Sequence, residues 1–136
     1  YQLSTAENFA SKHAEKFGIV TCLEVLEHVP NPIAVVGACA TLLKPGGRVF
    51  FSTFNRNVKS AIFAILGAEL LLRLLPNGTH QHHKFIRPSE LAKWARGFEL
   101  KIETITGLSF NPFTRNFQLV SDQVDVNYII HAKKLT

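Results

Sequence analysis

Glu24, Glu27 and His28 place two carboxylates and an imidazole within five residues, at positions i, i+3 and i+4. If the chain turns helically there, that spacing puts all three side chains on one side. Two anionic oxygens and one imidazole nitrogen suit a divalent cation with open positions, and magnesium, manganese or zinc would each serve. Such an ion would bind vicinal oxygens of a substrate and lower the pKa of a hydroxyl. In the plainer alternative Glu24 contacts a ligand hydroxyl or the backbone while Glu27 and His28 pair with other side chains, and spacing alone favours it. Carboxylates are seldom fully buried without a partner, so either chemistry needs a cleft.

Other chemistry-bearing residues are less concentrated. His80, His82 and His83 fall within four residues, as a metal cluster or as an exposed polar loop, and the loop suits His82 and His83 better. Cys22 and Cys39 sit in apolar segments without a C-x-x-C spacing, which points to reduced thiols of a cytosolic protein rather than a disulfide or a zinc site. The sequence has no Gly-x-Ser-x-Gly element, and Gly46-Gly47 precedes a strand, whereas a dinucleotide-binding glycine loop follows one.

The elements that must position Glu24, Glu27 and His28 can be read on either side of them. Residues 1 to 16 carry Ala6, Phe9, Ala10 and Ala14 at roughly helical spacing, with Ser4 or Thr5 as the cap. Gly18 resets the period, and Ile19 to Leu23 is a continuous apolar run, the pattern of a buried strand. Asn31-Pro32 predicts a helix start, with Asn as cap and Pro at the first helical position, and that helix runs to about Leu43. Lys44-Pro45-Gly46-Gly47 breaks it, and Arg48 to Thr53 forms the next strand. Strand, helix, turn and strand make a βαβ unit with a parallel pair, so ligands should bind outside the carboxyl ends of its strands, at Leu23 to His28 and Ser52 to Arg56.

Downstream, Val58 to Leu75 is apolar nearly all round in its leucine-rich part. It is too short and interrupted to span a bilayer, which leaves a core helix, an apolar lid or a helix lying in a membrane interface. Pro88 to Arg96 predicts a short helix stopped by Gly97, Phe98 to Thr106 a strand, Gly107 to Asn116 a loop, and Phe117 to Val120 and Val124 to Ala132 the closing strands.

With 136 residues, 46% of them hydrophobic, the chain can enclose one core. Its net charge of +5 is scattered, with no basic run longer than Lys133-Lys134 and no aromatic residues alternating with basic ones, so nucleic acid is not an expected partner. Tyr1 to Phe17 is polar and lacks the apolar core of a secretory signal, and the chain holds no methionine even at position 1, which predicts a fragment or a chain whose earlier residues are missing.

Three stretches, Ile19 to Val29, Leu42-Leu43-Lys44-Pro45-Gly46-Gly47 and Val49-Phe50-Phe51-Ser52-Thr53, resemble the latter half of a class I S-adenosylmethionine-dependent methyltransferase. More narrowly, the chain resembles the ubiquinone-biosynthesis O-methyltransferase family. Glu24-Val25-Leu26-Glu27-His28-Val29, Phe54-Asn55-Arg56-Asn57, Gly78-Thr79-His80 with Lys84-Phe85, Gly107-Leu108 with Asn111-Pro112, and Val126-Asn127-Tyr128 carry that resemblance. It implies an α/β, Rossmann-like sheet, mostly parallel with an antiparallel last strand, of which residues 1 to 136 would be the C-terminal portion of a single domain. The Gly-rich loop for the methyl donor and the acidic residue for its ribose would precede Tyr1.

The same resemblance implies O-methylation of a polyprenylated catechol or phenol. Leu23 would contact S-adenosylmethionine, Glu24, Glu27 and His28 would hold a divalent cation, Mg2+ first among candidates, and His80 would act on the substrate side as a catalytic residue. Residues 60 to 75 would bind a membrane surface, making the protein cytoplasmic and peripherally membrane-associated, within reach of a ubiquinone-synthesis complex. The alternatives are a class I methyltransferase for another small molecule and a noncatalytic lipid-binding lobe of such an assembly.

Overall fold

The computed structural model describes residues 2–56, 84–111, 116–121 and 123–135. The expected apolar segment 60–75 and the histidines His80, His82 and His83 lie outside the described residues.

Chain order begins with helix α1 (Ala6–Lys12), capped by Thr5, whose hydroxyl accepts from the Asn8 amide. Strand β1 (Phe17–Leu23) follows, then a 3-10 turn over Leu26–His28. Helix α2 (Pro32–Leu42) starts as its sequence predicts: the Asn31 side chain accepts from Ala34 and Pro32 takes the first turn. Strand β2 (Leu43–Phe54) and helix α3 (Pro88–Gly97) come next. Strands β3 (Leu100–Asn111), β4 (Asn116–Ser121) and β5 (Asn127–Lys134) complete the described elements.

The five strands form one sheet in the order β1-β2-β5-β3-β4. β1 and β2 are parallel, as the βαβ reading requires, and β5 runs antiparallel to both of its neighbours, β2 and β3. Strands β1, β2 and β3 therefore share one direction, with the last strand inserted against them. That is the expected α/β arrangement.

α2 and α3 cover one face of the sheet. Val36 and Cys39 from α2, Leu91 and Ala95 from α3, and Val49, Phe51, Tyr128, Ile130 and Ala132 from the strands form one buried cluster. Each large apolar side chain fully buried there contributes roughly 1.5–3 kcal/mol. Gly37 allows the two helices their approach: a Cβ on it would lie 2.9 Å from the Phe98 ring. Cys22 and Cys39 are both buried and not joined in a disulfide.

Several local expectations change. Gly18 lies inside β1 rather than before it. β1 is not buried throughout: Ile19 is 63% and Leu23 50% exposed, because β1 is an edge strand among the described residues and its apolar run is open on one face. Lys44-Pro45-Gly46-Gly47 is a bulge within β2 rather than a turn before it. The register steps from Phe17↔Leu43 to Ile19↔Arg48, and Gly46 takes the left-handed backbone (φ 74°) that this excursion needs. Gly97 does not stop α3 by a left-handed turn; Glu99 does, at φ 59°. Finally, Gly107 to Asn111 are not loop but the end of β3, because each finds a partner on β4 across the register from Gly107↔Val120 to Asn111↔Asn116.

Candidate functional site

β1 and β2 end side by side, with Leu23 opposite Ser52, and the β5 residue Asn127 pairs with Phe54 at the same end. The chain leaves β1 through Glu24, which adopts a left-handed backbone (φ 54°) that a residue with a Cβ seldom takes. Four hydrogen bonds hold it there. Its amide faces both the carbonyl (3.0 Å) and the Oγ (3.1 Å) of Ser52. Its Oε1 accepts from Ser52 Oγ at 2.5 Å and from Asn127 Nδ2 at 3.2 Å.

The 3-10 turn then directs Glu27 inward, where it is only 4% exposed. Thr53 Oγ1 donates to its Oε2 at 2.8 Å, while its Oε1 is buried without a partner. Burial raises the Glu27 carboxyl above its ordinary pKa, the neighbouring Glu24 adds to the effect, and its own backbone, Thr53 and His28 oppose it. Asn127 Oδ1 is likewise buried and unpartnered.

Helical spacing predicted that Glu24, Glu27 and His28 would point one way, and they do not. The left-handed step at Glu24 turns it toward β2 and β5 and leaves it and His28 exposed, whereas Leu26 and Glu27 enter the core. Among the described residues no three His, Cys, Asp or Glu side chains gather into a metal-ligand group. The donor chemistry still suits a hard or borderline cation, and Oε1 of Glu27 is a buried acceptor with no hydrogen-bond donor. Glu24 and His28 are close enough to act on Glu27's ionisation.

The segment leaving β2 is tied down as well. The Asn55 amide donates to Val126 O (2.8 Å) and its Nδ2 to Val124 O (2.6 Å), while Arg56 is ion-paired with Glu90 at the start of α3. Phe85 stacks on Phe54 with centroids 5.2 Å apart, and Ile86 N donates to Phe54 O. Tyr128, fully buried, donates to Ile86 O at 2.9 Å.

Residues 2–105 match the family model described as a methyltransferase domain. The chain belongs to the methyltransferase domain family. Among curated relatives of this methyltransferase chain, the ubiquinone biosynthesis O-methyltransferase of Saccharophagus degradans is 53% identical over 99% of the chain and 57% of the relative. That of Azotobacter vinelandii is 58% identical over 97% of the chain and 56% of the relative. The chain thus spans little more than half the length of the curated relatives it matches.

Solved structures agree on the fold. A SAM-dependent methyltransferase from Thermotoga maritima superposes with a TM-score of 0.69 at 14% identity, covering 96% of this chain and 62% of that one. Another from Methanosarcina mazei gives 0.66 at 17% identity, covering 98% and 66%.

Sequence reasoning identified Leu23, Glu24, Glu27 and His28 at this edge, and placed Ser52 at the same end of the sheet. It missed that Ser52, Thr53 and Asn127 hold the two carboxylates. Asn127 stands 103 residues from Glu24, and only the insertion of β5 beside β2 brings them together. The one available signal was the Val126-Asn127-Tyr128 motif.

Proposed function

We propose that the protein carrying this chain transfers a methyl group from S-adenosylmethionine to a hydroxyl of a polyprenylated catechol or phenol in ubiquinone biosynthesis. In this reading the chain is the C-terminal portion of a single methyltransferase domain. The observation that carries it is the 53–58% identity, over almost all of the chain, to relatives named for that reaction. The polar edge at the carboxyl ends of β1 and β2 supports it, since that is where open α/β sheets bind ligands.

Each residue has a role in the proposal. Leu23, half exposed at the end of β1, offers an apolar surface to the methyl donor. Glu24, Glu27 and His28 would hold a divalent cation, Mg2+ first, which requires them to turn together from the directions they take here; Glu27 Oε1, buried without a donor, is the atom that supports it. When bound, such a cation lowers the pKa of a substrate hydroxyl. The chain's own part is to fix positions: Ser52 and Asn127 hold Glu24, Thr53 holds Glu27, and the sheet edge aligns acceptor oxygen with donor carbon, so proximity carries much of the rate. His80 is assigned to the substrate side and residues 60–75 to a membrane surface, both from resemblance alone. A quinone-synthesis assembly is the partner this placement suits. Among the described residues no helix is long and apolar enough to cross a membrane.

The test is methyl transfer to a polyprenyl catechol by the full-length protein, with and without a chelator. Transfer that falls on chelation is expected, and absence of transfer overturns the proposal. Transfer indifferent to chelation and to Glu24→Ala with Glu27→Ala would remove the cation and leave the methyltransferase. For the membrane, liposome flotation should weaken when Leu71 and Leu74 become Glu in a variant that stays folded.

A further inference from the structure

Two features of the edge are left unexplained by the roles above. Glu24 keeps a left-handed backbone although it is not glycine, and the surroundings over-determine that conformation: its amide and its carboxylate are both bound to Ser52, and Asn127 reaches the carboxylate from a third strand. Strained residues held this firmly concentrate at functional sites. In addition, both side-chain donors converge on one atom, Oε1. Oε2 has no hydrogen bond among the described residues.

The identity of the Asn127 amide is fixed by chemistry. An ionised carboxylate only accepts, so Asn127 must turn its NH2 toward Glu24, which leaves Oδ1 on the other side, buried and unpartnered. A neutral amide held that way presents one donor to the carboxylate and adds no charge to the site. Ser52 does the same from β2. Neither residue needs to touch a ligand to matter.

We infer that Ser52 and Asn127 are positioning residues that clamp Glu24 by Oε1 so that Oε2 is presented to the acceptor site. This deepens the methyltransferase reading and rests on it. The clamp spans three strands: Glu24 leaves β1, Ser52 sits on β2 and Asn127 opens β5. Its geometry is therefore set by sheet register, with Leu23↔Ser52 on one side and Phe54↔Asn127 on the other.

A double-mutant cycle in the full-length protein tests it, using Asn127→Ala, Glu24→Ala and the pair. Two quantities are read: kcat and KM for methyl transfer to a polyprenyl catechol, and the rise in melting temperature caused by a soluble short-chain alkyl catechol. Asn127→Ala should lower kcat/KM about tenfold, within the range for residues that orient a binding carboxylate. The pair should be no worse than Glu24→Ala alone, and the catechol-induced shift should shrink in both single variants. Asn127→Gln, which keeps the amide donor, should recover part of the loss.

Multiplying effects in the pair, or an unchanged catechol shift in folded Asn127→Ala, would overturn the clamp. A wild-type protein that shows the catechol shift, weakened by Asn127→Ala, but no methyl transfer would condemn the reaction and keep the clamp. No shift in the wild type would overturn the clamp, and absence of methyl transfer would overturn the reaction.

Discussion

The parallel pair β1–β2 has two ends, and they treat polar groups in opposite ways. At the amino end, where the Lys44 to Gly47 bulge lies, Lys134 closes the structure: its ammonium donates to Leu43 O at 2.9 Å and to Glu15 Oε1 at 3.2 Å. At the carboxyl end two acceptor atoms, Glu27 Oε1 and Asn127 Oδ1, are buried with no donor, and Glu24 is held in a strained backbone. An unmet buried acceptor costs about 1–3 kcal/mol. One end of the same two strands is arranged for stability and the other tolerates a cost, and the costly end is where ligands bind in such sheets.

The contrast can be attacked in order of effect. Phe51, in the core beneath the sheet, is fully buried, so Phe51→Ala should cost about 3–5 kcal/mol and lower the chemical-denaturation midpoint and transfer together. Glu24→Ala should separate them: transfer drops roughly a hundredfold while the melting temperature changes little, since the side-chain bonds lost are those of an exposed residue and its amide stays bound to Ser52. A large loss of stability there would mean that Glu24 is structural. Lys134→Ala should do the reverse, costing about 1 kcal/mol in denaturant melts with kcat/KM unchanged.

The smallest effect concerns Glu27 and depends on pH. Because burial raises its folded-state pKa above the ordinary 4.5, the native state holds its proton more tightly than the unfolded chain. Its contribution to stability is therefore full below pH 4.5 and is lost as pH rises through the folded pKa. Glu27→Gln should accordingly raise the melting temperature of chelator-treated protein at pH 8, with the gain shrinking toward pH 4. Added Mg2+ should stabilise the wild type and not this variant. Equal gains at both pH values would show that desolvation of the charge is not the cause.

How much of this was legible beforehand varied with the range of the forces involved. Local chemistry spoke clearly: Ser4 or Thr5 as the first cap, of which Thr5 serves, Asn31 as the second, Pro32 at a helix start, and the continuous apolar run that becomes β1. Strand ends were misjudged where the turn-forming residues Gly107 and Asn111 conceal hairpin pairing with the neighbouring β4. At the site, residue types announced Glu24, Glu27 and His28, but periodicity mispredicted their directions because a single left-handed residue reorients everything after it. The residues that restrain them come from β2 and β5, and no spacing rule connects Glu24 with Asn127.

The placement of β5 bears on how the molecule is made. Among the described strands, β5 alone joins the β1–β2 pair to the β3–β4 hairpin, through the Phe51↔Ile130 and Ile105↔Ile130 pairings. On a ribosome this strand emerges after the other four described strands, so a growing chain holds two unjoined half-sheets until residues 127–134 are made. Closing them brings together positions some eighty residues apart along the chain, a slow step for sheet-forming proteins. A nascent chain stalled short of Asn127 would lack the connecting strand and expose both edges to aggregation.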